Sequence, residues 1–261
     1  MELNKNTQVT ISAIPGIPEI NSGDDLAQII LDSLQLAKIR LEEGDILIVA
    51  QKVVSKAEGR LVALEQVTPS KEAITLSAQV NKDPRKLEVI LRESSRIVRA
   101  VKRDDNKEGI VITEHNLGFV CANAAVDESN CAQKDTLILL PVDPDFSARN
   151  LRDRLSAAFG VRVGVVITDT FGRPWRMGLV NVAIGLAGVP AKVDLIGEND
   201  AFGRELLVTS PALADELAAA SGLLMTKDGM KPAILFRGVD WVEQPSSARE
   251  LVRPEHEDLF R

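Results

Sequence analysis

Apolar positions along the chain follow strand-like and helix-like spacings in alternation. Runs that we interpret as strands lie at 8–14, 45–56, 96–102, 109–130, 136–145, 161–168, 192–197 and 232–239. Segments with helix-like spacing lie at 24–44, 145–160, 177–188 and 210–222, and two further helices are predicted to begin at 68–69 and 83–84. This interleaving predicts sheet covered by helices, although it does not fix the direction of the strands.

Residues with special backbone preferences mark the ends of the predicted helices. Thr68-Pro69, Asp83-Pro84 and Ser210-Pro211 each place a capping side chain before a proline at the first helical position. Glycines follow three of the helical segments, at positions 44, 160 and 222. The helix boundaries are therefore predicted more sharply than those of the strands.

Composition and charge exclude several classes of protein. The 261 residues are 45% apolar and 26% charged, which is typical of a globular protein. The longest apolar runs are far shorter than the roughly 20 residues of a membrane span, and the N-terminus does not resemble a signal peptide. We therefore expect a cytoplasmic protein in which Cys121 and Cys131 are free thiols. A net charge of −7 and 3% aromatic residues make nucleic acid an unsuitable partner.

The segment ITDTFGRPWRMG carries the densest group of chemically versatile side chains. Asp169 follows a predicted buried strand, where sheets with parallel strands commonly bind ligands, and a carboxylate there can hold Mg²⁺ or Mn²⁺. Thr170 can add an oxygen ligand, and Arg173 and Arg176 suit a phosphate or a carboxylate. A structural interpretation stays open, in which Asp169 caps a following helix and Trp175 fills a gap in the core.

Two further clusters favour the functional interpretation. In CANAAVDESN, Asp127 and Asn130 follow another predicted strand, so two loops could converge on one divalent ion. In QKVVSKAEGR, Lys52 and Lys56 could neutralise phosphates, although the segment lacks the GxxxxGK[ST] pattern of a P-loop. His115 and the cysteines lack the spacing of a zinc site, and we interpret that histidine as a polar turn residue.

Seven segments, taken in order, resemble the coenzyme F-420 (F420):L-glutamate ligases, which are gamma-glutamyl ligases. These segments are IPGIPEI, KVVSKAEGRLV, ITEHNLGFVCANAAVDESN, LLPVDPDFSARNLRDRL, VVITDTFGRPWRMG, VAIGLAG and TSPALADELAAASGLLM. The resemblance covers nearly the whole chain and implies a single ligase domain over 1–261. It implies an α+β fold with mixed β-sheets covered by helices, in two intertwined subdomains, unlike the P-loop enzymes.

The same resemblance implies a GTP-dependent ligase that adds L-glutamate to the precursor F-420-0 and then extends it through the gamma-carboxyl. It implies a homodimer that uses Mg²⁺ or Mn²⁺, with two ions, together with K⁺. The positions that match nucleotide contacts are Ile17, Pro18, Glu19, Ile20, Lys56 and Asn130. The positions that match divalent-metal ligands are Asp127, Asp169 and Thr170. Arg173 and Arg176 are candidates for binding a substrate carboxylate or a phosphate.

The chain departs from the family pattern at three places. Gln51 stands where relatives often have a serine that contacts the nucleotide, and it keeps the capacity to form a hydrogen bond. Lys227 stands where archaeal relatives have a metal-binding glutamine, and a lysine there could contact phosphate instead. The sequence stops where actinobacterial versions continue into a flavin-binding, reductase-like domain. We expect no flavin site, whether the chain is a stand-alone ligase or a trimmed piece.

Our hypothesis places GTP between the Pro-Gly loop IPGIPEI (residues 14–20), Lys56 and the two acids Asp127 and Asp169. The terminal carboxylate of F-420-0 would form an acyl phosphate that the amine of glutamate displaces, so the protein mainly positions the reactants and neutralises charge. Alternatives are a metal-dependent phosphohydrolase, a ligase for another carboxylate, and a non-catalytic nucleotide-binding module.

Overall fold

The computed structural model describes residues 7–103, 107–128, 134–226 and 229–258. Its strands are β1 (Thr10–Ala13), β2 (Ile46–Ala50), β3 (Leu61–Ala63), β4 (Ser94–Val101), β5 (Ile110–His115), β6 (Val120–Ala122), β7 (Thr136–Ile138), β8 (Gly164–Arg173), β9 (Arg176–Ala187) and β10 (Ala233–Arg237). Its α-helices are α1 (Leu26–Leu36), α2 (Gln51–Ala57), α3 (Lys71–Val80), α4 (Pro84–Arg92), α5 (Pro144–Phe159) and α6 (Leu213–Ser221). The predicted α+β class with mixed sheet is confirmed.

The central sheet has the strand order β1-β10-β2-β8-β9. Strands β2 and β8 run parallel, and the other neighbouring pairs of this sheet are antiparallel. Residues Ile46 to Val49 are all buried because helices cover both faces. Leu47 and Val49 belong to the core on the side of α1 and α5, whereas Ile46 and Ile48 pack in the core that contains α6.

A second layer of structure lies beside the central sheet. Strands β4, β5 and β6 form an antiparallel sheet, which packs on α3 and α4 through a separate apolar cluster. Strands β3 and β7 form a short two-stranded ladder. Arg60 connects these parts, since its Nη2 donates to Glu93 Oε2 at 2.8 Å and its Nε donates to the Leu140 carbonyl. This arrangement brings the end of β6 toward the central sheet.

Two predicted helix ends are confirmed by their hydrogen bonds. Asp83 accepts a hydrogen bond from the Arg85 N–H and caps α4, which begins at Pro84. Helix α5 begins at Pro144 after the cap Asp143, and it ends at Gly160, whose φ of 67° is the left-handed conformation that glycine favours.

Two other predicted helix starts are shifted, and one predicted helix is shorter. Helix α3 begins at Lys71 because the Ser70 hydroxyl, rather than the Thr68 side chain, accepts from the Ala73 N–H. Helix α6 begins at Leu213 instead of Pro211, and α1 ends at Leu36, well before Gly44.

Three element types were predicted wrongly. Segment 177–188, predicted as a helix, belongs to strand β9, which pairs with β8 along its length. Residues 51–56, predicted as the end of a strand, belong to helix α2, which starts directly where β2 ends. Segment 192–197 forms no regular strand. In each case tertiary pairing or packing decided the conformation of a short apolar run that fits more than one period.

Smaller predictions have mixed outcomes. The His115 ring is buried, and its Nδ1 accepts the Leu117 N–H, so this histidine stabilises the turn between β5 and β6. Cys121 is a buried free thiol, while Cys131 lies outside the described residues. None of the helices within the described ranges combines the length and the apolar composition that crossing a bilayer requires.

Candidate functional site

A cavity of about 450 Å³ lies beside the C-terminal end of β2 and residues 168–170 of the parallel strand β8. Its walls come from the loop 17–20, the start of α2, the outer part of the β8–β9 hairpin and the segment after α6. Strand β2 ends at Ala50, opposite Thr168, whereas β8 continues to Arg173. Past Thr168, β8 therefore has no β2 neighbour, and Asp169 and Thr170 line the cavity.

Asp169 lies in the wall of this cavity, and Asp127, from a distant part of the chain, contacts the wall residue Lys52. Asp169 lines the cavity on β8, and Asp127 forms an isolated bridge with Ile138 beside β7. The pKa of Asp169 is raised to about 6, chiefly by burial and also by the negative charge of Asp127, although the Thr170 N–H and the Lys52 charge oppose the rise. The two carboxyl groups are thus close enough to repel each other, as the hypothesis of a shared cation requires.

Lys52 connects the two acids. Its Nζ lies 2.7 Å from Asp127 Oδ2, and its charge lowers the pKa of Asp169. The sequence placed Lys52 in a basic cluster at a strand end, and the structure places it on the first turn of α2, inside the cavity. The site therefore contains a cationic side chain in direct contact with one of the two carboxylates.

The predicted nucleotide contacts on the loop 17–20 line the same cavity. Ile17, Pro18, Glu19 and Ile20 all belong to its wall. Lys56 is only 7% exposed, and its Nζ forms an ion pair with Glu19 Oε1. A buried ammonium group beside a half-exposed carboxylate can exchange that partner for an anionic ligand.

Gln51 is also part of the cavity and is almost fully buried. Its Oε1 accepts a hydrogen bond of 2.8 Å from the Ser55 hydroxyl. Its Nε2 approaches Asp169 closely enough to lower the pKa of that carboxyl, but it has no acceptor with regular hydrogen-bond geometry among the described residues. A buried amide donor of this kind is available to a ligand.

Thr170 lines the cavity next to Asp169, and its Oγ1 donates a hydrogen bond of 2.8 Å to Asn181 Oδ1. Asn181, on β9, was not singled out in the sequence, because an isolated asparagine in an apolar segment gives no motif. The segment after α6 was represented in the sequence only by Lys227, and its other residues were not named as site candidates. It contributes Met225, Thr226 and Met230 to the wall.

Several predicted site residues lie elsewhere. Arg173 and Arg176 face each other near the tip of the exposed β8–β9 hairpin, outside the cavity wall, where Arg173 Nη2 donates to the Met177 carbonyl. Trp175 is 79% exposed at that tip, so it does not fill a gap in the core, and Asp169 does not cap a helix. Asn130 and Lys227 lie outside the described residues.

The chemistry of the donors fits a hard divalent ion. Two carboxylates and one hydroxyl are oxygen ligands of the type that Mg²⁺ and Mn²⁺ bind, with water or phosphate oxygens completing the shell. The described part of the chain contains no group of three or more His, Cys, Asp or Glu side chains arranged for a metal. A divalent ion at this site would therefore need ligands from a bound substrate or from solvent.

Comparison with known proteins gives the family. The sequence pattern of the F420-0:Gamma-glutamyl ligase family matches residues 16–238. The chain belongs to this family. It is 48% identical over 256 residues to the Coenzyme F420:L-glutamate ligase of Methanopyrus kandleri, an alignment that covers 96% of this chain and 97% of that protein. The resemblance inferred from the seven segments is confirmed.

Two other relatives agree with this assignment. The Coenzyme F420:L-glutamate ligase of Methanothermobacter thermautotrophicus is 41% identical over 97% of this chain and 99% of its own length. The relative of the same name in Archaeoglobus fulgidus is 41% identical over 97% of both chains. Members of the F420-0:gamma-glutamyl ligase family therefore align with this chain through all the elements that form the cavity.

Proposed function

We propose that the protein is a GTP-dependent ligase that adds L-glutamate to F-420-0 and then extends the product through the gamma-carboxyl. The observation that carries the proposal is that Asp169, Lys52 and Lys56 line one cavity, and that Asp127 is ion-paired with Lys52 and acts electrostatically on Asp169. The names of the relatives support the acceptor and the amino acid. The charges in the cavity support a phosphorylated co-substrate.

The proposed reaction has two steps. A carboxylate oxygen of F-420-0 attacks the γ-phosphorus of GTP, the bond from that phosphorus to the β,γ-bridging oxygen breaks, and GDP leaves. The amine of glutamate then attacks the acyl carbon, inorganic phosphate leaves with the electrons of the acyl–oxygen bond, and the amine loses its proton to solvent. Phosphorylation supplies the leaving group that a carboxylate lacks, so positioning and charge neutralisation dominate what the protein must do.

Each cavity residue has a role in this scheme. Lys56 binds phosphate oxygens in place of Glu19, and Nε2 of Gln51 donates a hydrogen bond to the nucleotide. Asp127, Asp169 and Thr170 would hold Mg²⁺ or Mn²⁺, which supplies positive charge to the phosphates when bound. Lys52 offsets the mutual repulsion of the two carboxylates. The family resemblance adds a second divalent ion and K⁺ to the proposal, and it also adds contacts from Asn130, Lys227, Arg173 and Arg176.

Mass spectrometry tests this function directly. The protein is incubated with GTP, Mg²⁺, L-glutamate and F-420-0, and both the cofactor and the nucleotide are analysed. Products heavier by one or more glutamate residues, formed together with GDP, are expected. GDP without an adduct would indicate a phosphohydrolase or a ligase for another carboxylate, and binding of GTP without turnover would indicate a non-catalytic nucleotide-binding module.

We also propose a cytoplasmic homodimer in which the β8–β9 hairpin contributes to the interface. Trp175, Met177 and Leu179 are 79%, 96% and 62% exposed on this hairpin, and apolar side chains clustered in this way mark protein–protein contacts. Light scattering should give a mass of about twice the 28.3 kDa of the chain. The variant Trp175→Ser/Met177→Ser should shift that mass toward the monomer. A monomeric mass for the unaltered protein would contradict the proposal.

A further inference from the structure

We infer that Asn181 is a positioning residue that turns the lone pairs of the Thr170 hydroxyl toward the cavity. The inference rests on the proposed function, because it assigns to Asn181 the task of preparing a metal ligand. Asn181 lies on β9 directly opposite Thr170 on β8, and Thr170 Oγ1 lies 2.8 Å from Asn181 Oδ1. Asn181 belongs to none of the seven segments that resemble the family, and it matches none of the family's ligand-binding positions named above.

The hydrogen bonds behind Asn181 fix which end of its amide faces Thr170. Ser221, the last residue of α6, is fully buried, and its hydroxyl donates a 2.6 Å hydrogen bond to the Ala218 carbonyl. That serine oxygen can then only accept, and Asn181 Nδ2 lies 3.4 Å from it. Met225 Sδ, a weak acceptor, lies 3.9 Å from the same nitrogen. Both neighbours of Nδ2 are acceptors, so Oδ1 is the end that faces Thr170.

This orientation determines the direction of the Thr170 proton. An amide oxygen only accepts, so the hydroxyl of Thr170 must donate to Asn181. A hydroxyl has one proton and two lone pairs, and a cation binds the lone pairs. With the proton directed at Asn181, both lone pairs of Thr170 stay available in the cavity, whose wall includes Asp169, Thr170 and Asn181. Asn181 thereby disfavours the alternative orientation of the Thr170 hydroxyl, in which its proton would point at the cation.

The same contacts connect the metal site with another wall of the cavity. Ser221 and Met225 flank the turn that follows α6, and Met225 and Thr226 line the cavity. A Cβ added at Gly222 would lie 3.4 Å from Asn181 Nδ2 and 3.1 Å from the Ala219 carbonyl, which shows how closely the turn packs on the amide. Asn181 therefore holds Thr170 and this turn in one network.

Binding of Mn²⁺ to the full chain, followed by the electron paramagnetic resonance signal of free Mn²⁺, tests the inference without using turnover. We expect Asn181→Leu and Thr170→Val each to weaken Mn²⁺ binding by roughly tenfold, the order of one lost ligand interaction. The double variant should bind no more weakly than Thr170→Val alone, because Asn181 acts through Thr170. Ser221→Ala, which keeps Asn181 but releases its amide, should cause a smaller loss.

Controls separate this effect from a loss of folding. Asn116 lies in the turn between β5 and β6, and its side-chain amide donates to the carbonyl of Arg92 at the end of α4. Asn116→Leu removes this amide and should leave Mn²⁺ binding unchanged. Thermal unfolding without metal should show that each variant is folded at the temperature of the measurement. If Asn181→Leu itself fails to fold, the Ser221→Ala variant decides, and Mn²⁺ binding equal to that of the unaltered protein overturns the inference.

The possible outcomes distinguish the inference from the proposed function. If the unaltered protein binds Mn²⁺ but Asn181→Leu binds it equally well, only the role of Asn181 is overturned. The same holds if the losses from Asn181→Leu and Thr170→Val add in the double variant, because Asn181 would then act independently of Thr170. If the unaltered protein does not bind Mn²⁺, the proposed metal site itself fails, and the inference fails with it.

Discussion

Replacing Asp169 with asparagine will abolish the addition of glutamate to F-420-0, with kcat/KM reduced by at least about a hundredfold, the loss that follows removal of one major electrostatic group from an active site. The substituted side chain would keep the size and one oxygen of the original but not its negative charge. The site would then have one carboxylate, Asp127, already paired with Lys52 at 2.7 Å. Such a site no longer attracts a divalent ion strongly. Product formation followed by mass spectrometry measures the effect.

The same variant should be at least as stable as the unaltered protein when no metal is present. Burial raises the pKa of Asp169 from 3.8 to about 6, so the folded state binds more protons than the unfolded state between these two values. Stability therefore falls as the pH rises through that window, and ionisation of Asp169 keeps the folded state less stable above it. An asparagine removes this cost. The melting temperature at pH 8 should be equal or higher, which separates lost activity from lost folding.

A matched control is available on the other side of the sheet. Asp215 is also a carboxyl whose pKa burial raises, and it accepts a 2.9 Å hydrogen bond from the Ala183 N–H, but it lies outside the cavity wall. Asp215→Asn can keep that hydrogen bond and should keep glutamate addition within a few-fold of the unaltered rate. Near-normal turnover by Asp169→Asn, or equal losses in both variants, would contradict the metal assignment.

The outline of the fold was predictable where local chemistry decides it. Asp83 and Asp143 cap their helices through their own side chains, and such signals are visible in the sequence. Strand β9 was predicted as a helix although Val180, Val182, Ile184 and Leu186 alternate with period two, the signal of a strand. The short segment also fits a helical period, and only pairing with β8 excludes the helix. The pairing of one strand with another is not visible in the periodicity of a single segment.

The site residues that belong to recognisable sequence motifs could be predicted from the sequence. Asp127, Asp169 and Lys56 were chosen as acids or bases beside predicted strands, and the structure brings all three to the cavity region. Asn181 was missed because its role comes from a ladder partner on β8 and a serine on α6, both distant in sequence. Arg173 and Arg176 share a motif with Asp169 but lie farther along the hairpin, since β8 continues past the cavity. Proximity in sequence does not fix proximity to a ligand.

Variants of the Lys56–Glu19 ion pair should change nucleotide binding in opposite directions. Lys56→Met removes the ammonium group that lies in the cavity wall, and we expect GTP to bind roughly thirtyfold or more weakly, the order expected when one partner of a buried charge pair is truncated. Glu19→Gln removes the carboxylate that competes with phosphate for the same ammonium. GTP should then bind several-fold more tightly. Isothermal titration calorimetry measures both affinities.

The stability of the two variants follows from how unequally the pair is buried. The side chain of Lys56 is 9% exposed and that of Glu19 is 56% exposed, so Glu19→Gln leaves a largely buried ammonium without its carboxylate partner. The ligand-free Glu19→Gln protein should therefore melt at a lower temperature than the unaltered protein. Added GTP should raise its melting temperature by more than it raises that of the unaltered protein, because a nucleotide restores negative charge next to Lys56.

A second ion pair of the same kind separates nucleotide binding from a general effect on stability. Lys82, with 7% of its side chain exposed, pairs at 2.6 Å with the half-exposed Glu108, and neither residue lines the cavity. Lys82→Met and Glu108→Gln should change the melting temperature but leave the affinity for GTP unaltered. If Lys56→Met and Glu19→Gln both weaken GTP binding, the two residues contact the nucleotide as a pair. If neither changes the affinity, the phosphates do not reach Lys56, and the nucleotide must lie against another wall of the cavity.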